Sequence, residues 1–199
     1  MIYLVRHGRT TFNAEGRFQG GLDSPLTPLG QDQAARVGRL LKSLIGSPHG
    51  WLIQASPLGR TVHTAQIICD QIGDGADFTL EPRLAELRMG EWDGLTDEEI
   101  ESASPGLRDG TTRYNFFFRA PGGETYDALA ARLGDWLAEA ARDPRPRIAI
   151  SHGVAGRVLR GLYLGLDKAE ALRLEAPQDA VFRLADGQIE RIACEPAAL

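Results

Sequence analysis

The chain has 199 residues, 43% of them hydrophobic and 25% charged, the balance of an ordinary globular protein with length for one domain (1–199) and a sizeable core. Its net charge of −5 argues against nucleic acid as a partner but leaves room for a small anion held by a few focused cations. No apolar run approaches the roughly 18 residues of a membrane span, and the N-terminal run is shorter than the about 7–15 residues of a secretory core and lacks a basic stretch before it. No membrane partner and a cytoplasmic location are therefore expected. Cys69 and Cys194 match no metal spacing and suggest no disulfide framework.

In chain order, Ile2 to Val5 is a continuous apolar run, as in a strand covered on both faces. After a glycine-rich loop, Thr27 can cap a helix with Pro28 at its first position, where the missing N–H costs nothing. Ala34, Val37, Leu41, Leu44 and Ile45 fall on one face of it, and Gly46 and Pro48 end it. "WLIQAS" reads as a strand, "LGRTVHTAQIICDQI" as a helix and "DFTLEPRL" as a segment holding a third strand. Thr96 and Glu99 form a capping box for a small helix. Leu129, Leu133, Trp136, Leu137 and Ala140 make the apolar stripe of a longer one. "RIAIS" is the next strand and "VAGRVLRGLYLGL" the next helix. Asp186-Gly187, between two alternating runs, predicts a closing hairpin.

Alternating strands and helices predict a three-layer α/β/α sandwich with a mainly parallel central sheet and one antiparallel strand. Ligands of such sheets bind outside the carboxyl ends of the strands, so the residues just after each strand carry the interest. Arg6-His7-Gly8 come after the first strand, "ASPLGRT" with Arg60 after the second, and His152-Gly153 after the late one. A single histidine at a strand end is usually a hydrogen-bonding turn residue, and a single arginine near a helix start a solvated charge. Arg60 is also misplaced there, because the helix dipole prefers anions at that end. Were Arg6 and Arg60 neighbours, at about 4 Å and an effective dielectric of 20 their repulsion would be about 4 kcal/mol. A phosphate between them would turn repulsion into attraction, and the planar guanidinium fork suits its oxygens. Neutral imidazole is a nucleophile able to approach a phosphate dianion at pH 7, and flanking arginines keep it neutral. Its other ring nitrogen would hold its proton against a backbone carbonyl.

The segments "LVRHGRTTFN", "GRFQG", "LTPLG", "SPLGRTVHTA", "LAELRMGEWDG", "PGGET" and "SHG", spread from residue 4 to residue 153, together resemble the histidine phosphatase superfamily, which includes the cofactor-dependent phosphoglycerate mutases. The resemblance implies that His7 is a nucleophile that becomes a phosphohistidine. Arg6, Arg60 and His152 then hold the phosphoryl oxygens. It makes Asn13 a phosphate-pocket amide, assigns Gln19 and Gly20 to the loop over the substrate, and makes Glu86 the acid that protonates the leaving oxygen. Glu124 is the rival acid, ranked as a residue at the edge of the site. Gly153 completes the second strand–His–Gly turn. Arg9 stands where an acidic residue or glutamine is often found and is expected to add a cation beside the pocket. The segment 108–120, with Arg108, Arg113, Arg119 and three successive phenylalanines, is expected to form part of a lid.

No carboxylate cluster, Cys–His pattern or phosphate-binding glycine loop is present, so no metal and no cofactor are expected. His49 and His63 read as a loop and a helix-surface residue. Phosphatase and mutase both begin with a phosphohistidine and differ in whether water or a substrate hydroxyl attacks it. The mutases resembled here carry a longer insertion before "PGGE" and an asparagine–glutamate pair where this chain has Ala85-Glu86-Leu87. The expectation is a phosphomonoesterase acting on a small phosphorylated substrate. A phosphoglycerate mutase and a non-catalytic phospholigand-binding protein are the alternatives.

Overall fold

Residues 1–195 are described by a computed structural model. Six strands form one sheet in the order β3-β2-β4-β1-β5-β6. They are β1 (Ile2–Arg6), β2 (Leu52–Ala55), β3 (Thr79–Leu80), β4 (Arg147–Ser151), β5 (Ala180–Ala185) and β6 (Gln188–Ala193). β3, β2, β4 and β1 run parallel; β5 is antiparallel to β1 and to β6. The helices are α1 (Thr11–Glu15), α2 (Pro28–Ile45), α3 (Gly59–Ile72), α4 (Asp97–Ala103), α5 (Tyr126–Arg142), α6 (Gly153–Leu164) and α7 (Lys168–Arg173).

Strand β1 shows why the sheet is covered twice. Ile2 and Leu4 join the cluster beneath α5 and α6, with Leu133, Trp136, Val158 and Leu159. Tyr3 and Val5 join the opposite cluster, with Val37 and Leu41 of α2 and Ile68 of α3. The apolarity is continuous because successive side chains point to opposite faces and both faces are dry. The predicted sandwich and its one antiparallel strand are what the chain adopts. Among the described residues no helix is long and apolar enough to cross a membrane.

The differences from expectation are local. β3 is two exposed residues, because Pro82 turns the chain into a short 3-10 turn over Pro82–Leu84. Leu44 is exposed rather than on the buried face of α2. The loop after β1 holds the short helix α1, whose N-cap Thr10 and Asn13 form a reciprocal capping box. Helix α7 has the same device in Asp167 and Glu170. Gly8 meets Gly30 of α2 so closely that a Cβ on Gly8 would lie 2.1 Å from the Gly30 carbonyl oxygen. This contact seats the loop after His7 on the first turn of α2.

Candidate active site

The sheet order alone brings the two strand–His–Gly turns together. β4 lies between β1 and β2, with Arg6 paired to Ser151 and Ala55 to Ile150. The backbone N–H of His7 donates to the Ser151 carbonyl at 3.0 Å, and that of Ser56 to the Ile150 carbonyl at 3.0 Å. His7, Ser56 and His152 therefore emerge from three adjacent strands at their carboxyl ends. The His7 and His152 rings lie 5.2 Å apart between centroids, tilted by 60°, and both residues are buried.

A carbonyl oxygen only accepts, so His7 Nδ1, 2.8 Å from the Gly8 carbonyl, carries the ring proton in the neutral form. Nε2 is left with its lone pair. Burial first, then the Arg6 and Arg60 cations, hold the His7 imidazolium well below its ordinary value, against the weaker opposing pull of the Gly8 carbonyl. Burial likewise dominates for His152, with Arg60, His7 and Arg6 next in order. His152 Nε2 lies 2.7 Å from the Ser56 hydroxyl. Arg6 is brought down to about 10 by burial, with Arg157 and Arg60 adding to it and Glu86 opposing, and remains charged at neutral pH. Arg6 Nε, Arg60 Nε and His152 Nδ1 are buried with no hydrogen-bond partner among the described residues. Arg147 Nε, remote from this site, is orphaned in the same way, and each such atom carries a cost.

Arg60 opens α3, and its charge at the helix start is balanced from a distant segment. Asp23 accepts from the Gly59 and Arg60 backbone N–H groups at 2.6 and 3.2 Å, and its Oδ1 lies 2.8 Å from Arg60 Nη1. The Leu22 and Gly20 carbonyls accept from the same guanidinium at 2.6 and 2.9 Å. The expected repulsion at this position is therefore offset within the protein, before any ligand binds. Glu86 does the corresponding job at α6, whose N-cap residue His152 makes no side-chain cap. Its Oε2 accepts from Val154 N at 3.0 Å and its Oε1 from Ala155 N and Leu87 N, each at 2.9 Å.

Beside these groups lies a cavity of about 210 Å³ lined by Arg6, His7, Asn13, Gln19, Gly20, Arg60, Glu86 and Gly153. Arg17, Phe18, Leu87, Met89, Arg113, Phe116, Phe117, Val154, Arg157 and Ala176 complete the wall. Among the described residues Glu86 is the only acid in it, against five arginines. Among the described residues no group of three His, Cys, Asp or Glu side chains is placed to hold a metal ion.

The family model of the histidine phosphatase superfamily (branch 1) matches residues 2–188. The chain belongs to the histidine phosphatase superfamily. Proteins named probable phosphoglycerate mutase GpmB, from Enterobacter sp. (strain 638) and Salmonella paratyphi C, are 41% identical to it over 194 residues, covering 92% of this chain and 83% of each relative. Among solved structures, a mycobacterial glucosyl-3-phosphoglycerate phosphatase complexed with VO3 is 28% identical, with a TM-score of 0.74 and 96% of each chain covered. A putative α-ribazole-5'-P phosphatase from Escherichia coli shares the fold at 19% identity, with a TM-score of 0.77 over 98% of this chain and 96% of its own.

Three residues expected at the site of this histidine phosphatase are not in the cavity wall: His152, which is buried beside His7 and lines a smaller neighbouring cavity with Arg6, then Arg9, and Glu124, expected at the edge. Arg9 is not in the cavity wall. Its backbone N–H donates to Gln33 Oε1 and its carbonyl accepts from Thr27, so its main chain is tied to the start of α2. Glu124 is not in the wall either, because Arg132 holds both its oxygens, at 2.8 and 2.9 Å. His49 and His63 are exposed. The segment 108–120 contributes Arg113, Phe116 and Phe117 to the wall. Arg108 turns to Asp97 at 2.6 Å and stacks over Phe116, while Phe116 and Phe117 are buried in the core.

Sequence reasoning missed Asp23, Ser56, Arg132, Arg157 and Gln178. Arg157 was recoverable, since it lies one helical turn beyond Gly153 on α6. Gln178, whose amide donates to the His7 carbonyl and to Asn13 Oδ1 at 3.2 and 3.1 Å, obeys no local pattern. Asn13 Oδ1 also accepts from Thr10 N at 3.2 Å.

Proposed function

We propose that this chain is a metal-independent phosphomonoester hydrolase that acts through a phosphohistidine on small phosphorylated metabolites in the cytoplasm. The observation that carries the reading is His7: Nδ1 is committed to the Gly8 carbonyl, and Nε2 is unprotonated in a cavity walled by Arg6 and Arg60. Nε2 attacks phosphorus, the ester P–O bond breaks, and the departing oxygen takes a proton from the Glu86 carboxyl group. Water then attacks the phosphohistidine, gives its proton to the Glu86 carboxylate, and inorganic phosphate leaves with His7 restored. Arg6, Arg60, His152 and the Asn13 amide meet the charge on the equatorial oxygens, which is where most of the catalysis lies in such a transfer. Gln19 and Gly20 wall the substrate side, and the Gly153 turn keeps the start of α6 close to Arg6.

Hydrolysis of p-nitrophenyl phosphate in the presence of EDTA is expected, with complete loss in His7→Ala. Arg60→Ala is expected to lower the rate by about 10²–10³, the usual loss for one transition-state donor. A near-wild-type rate in either variant would refute the assignment.

The mutase reading keeps support from the 41% identity to proteins named probable phosphoglycerate mutase. It requires isomerisation of phosphoglycerate that depends on a bisphosphate primer, with little net phosphate release. The compact connection from Glu86 to Pro121 favours water as the acceptor. A non-catalytic phospholigand-binding protein would bind without turnover, and the His7–Glu86 pair in one cavity speaks against it.

A further inference from the structure

Glu86 lies outside regular secondary structure, yet its main chain is gripped from α5. Arg132, in the second turn of that helix, donates from Nη1 to the Arg83 and Ala85 carbonyls at 2.7 and 2.8 Å and from Nη2 to the Glu86 carbonyl at 3.1 Å. Its Nε and Nη2 bind the two oxygens of Glu124, a side chain only 7% exposed. All five N–H donors of the guanidinium are thereby used, in the planar fork that only arginine offers. The Glu124 backbone N–H in turn donates to the Arg88 carbonyl at 2.8 Å, on the other side of Glu86.

We propose that the Arg132–Glu124 pair is a positioning device for the general acid of the reaction read above. It fixes the main chain on both sides of Glu86, so that the side chain reaches the start of α6 and the leaving oxygen. The role rests on the hydrolase reading and touches only the step that needs a proton. An alkoxide must be protonated as it leaves, whereas p-nitrophenolate departs without help. The second-order constant kcat/KM covers events up to departure of that group, before water attacks.

The test compares kcat/KM for glycerol 2-phosphate and for p-nitrophenyl phosphate in wild-type protein, Arg132→Lys and Glu124→Gln, with thermal melts recorded alongside. Displacing the acid by a fraction of an ångström is expected to lower the alkyl-ester value at least about tenfold in Arg132→Lys, with the aryl-ester value within about threefold of wild type. Glu124→Gln, which keeps one acceptor oxygen and the side-chain volume, is expected to show the same selectivity at a few-fold, and serves if Arg132→Lys does not fold. Equal losses on both esters, or no loss on either, would overturn the positioning role while leaving the hydrolase reading intact. A wild-type protein that turns over neither ester overturns both.

Discussion

The N-termini of α3 and α6 lie at the same end of the sheet, and neither N-cap residue, Leu58 or His152, caps its helix with its own side chain. A carboxylate from a distant segment does so in each case: Asp23 for α3, Glu86 for α6. Both satisfy helix-end N–H groups that would otherwise be orphaned and both put negative charge where the dipole favours it. They differ in what else they touch. Asp23 also holds the Arg60 guanidinium and lies outside the cavity wall. Glu86 lines the cavity, and its oxygens accept only backbone N–H groups among the described residues. The same kind of cap is locked by a cation at α3 and left facing the cavity at α6.

The sharpest way to break this comparison is to remove the proton-carrying capacity of Glu86. Glu86→Gln keeps one acceptor oxygen for the α6 N–H groups but gives up the other and the charge, so it is expected to fold and to melt somewhat below wild type. Its turnover of alkyl phosphates is expected to fall by about 10²–10⁴, the range for a general acid–base group. A variant that retains wild-type turnover would move the acid elsewhere.

Asp23→Ala is expected to show the opposite balance. It removes a cap, worth about 0.5–2 kcal/mol, and leaves a buried guanidinium with carbonyl partners only. Asp23 is itself 39% exposed, which moderates the loss of the ion pair. Urea unfolding is expected to show a destabilisation of about 1–3 kcal/mol, with any fall in activity traceable to Arg60. A fully stable variant would mean that water replaces the carboxylate at no cost.

Protons on the two histidines sharpen the contrast further. Both imidazoles are held below their ordinary value of 6.5, so below that pH the unfolded chain binds protons that the folded one refuses. Stability is expected to be full above pH 6.5 and to decline below it until the folded-state values are reached. Urea midpoints at pH 7 and pH 5 measure this, and the decline should shrink in His7→Gln. A midpoint independent of pH in that window would contradict the burial of the pair. The smallest effect expected is that of Arg9→Ala, with kcat/KM unchanged within about twofold, because the side chain is not in the cavity wall.

The candidate site was legible at the strand ends because the physics there is local. A covered parallel strand announces itself by continuous apolarity, and the residues at its C-terminal end must emerge at the carboxyl edge of the sheet. His7, Arg60 and His152 could be located in this way. The family motifs then identified Asn13, Gln19, Gly20 and Glu86, all of which line the cavity. Arg9 and Glu124 stand outside the cavity wall for a different reason. Proximity in sequence to a site residue says nothing about which way a side chain leaves the backbone, and a carboxylate near the motif gives no hint that an arginine eight residues on will hold it.

What the sequence by itself determined about this protein is its longer helices, most of its strands, the layered sandwich and the candidate reactive groups, since periodicity, caps and turn residues act over a few neighbours. Only the tertiary structure decided that β4 runs between β1 and β2, so that two imidazoles separated by 145 positions meet at 5.2 Å. It also decided which carboxylate is tied to a cation and which faces the cavity. Charge and hydrogen-bond partners come from whatever the fold packs alongside, and that is settled by the burial of both sheet faces at once.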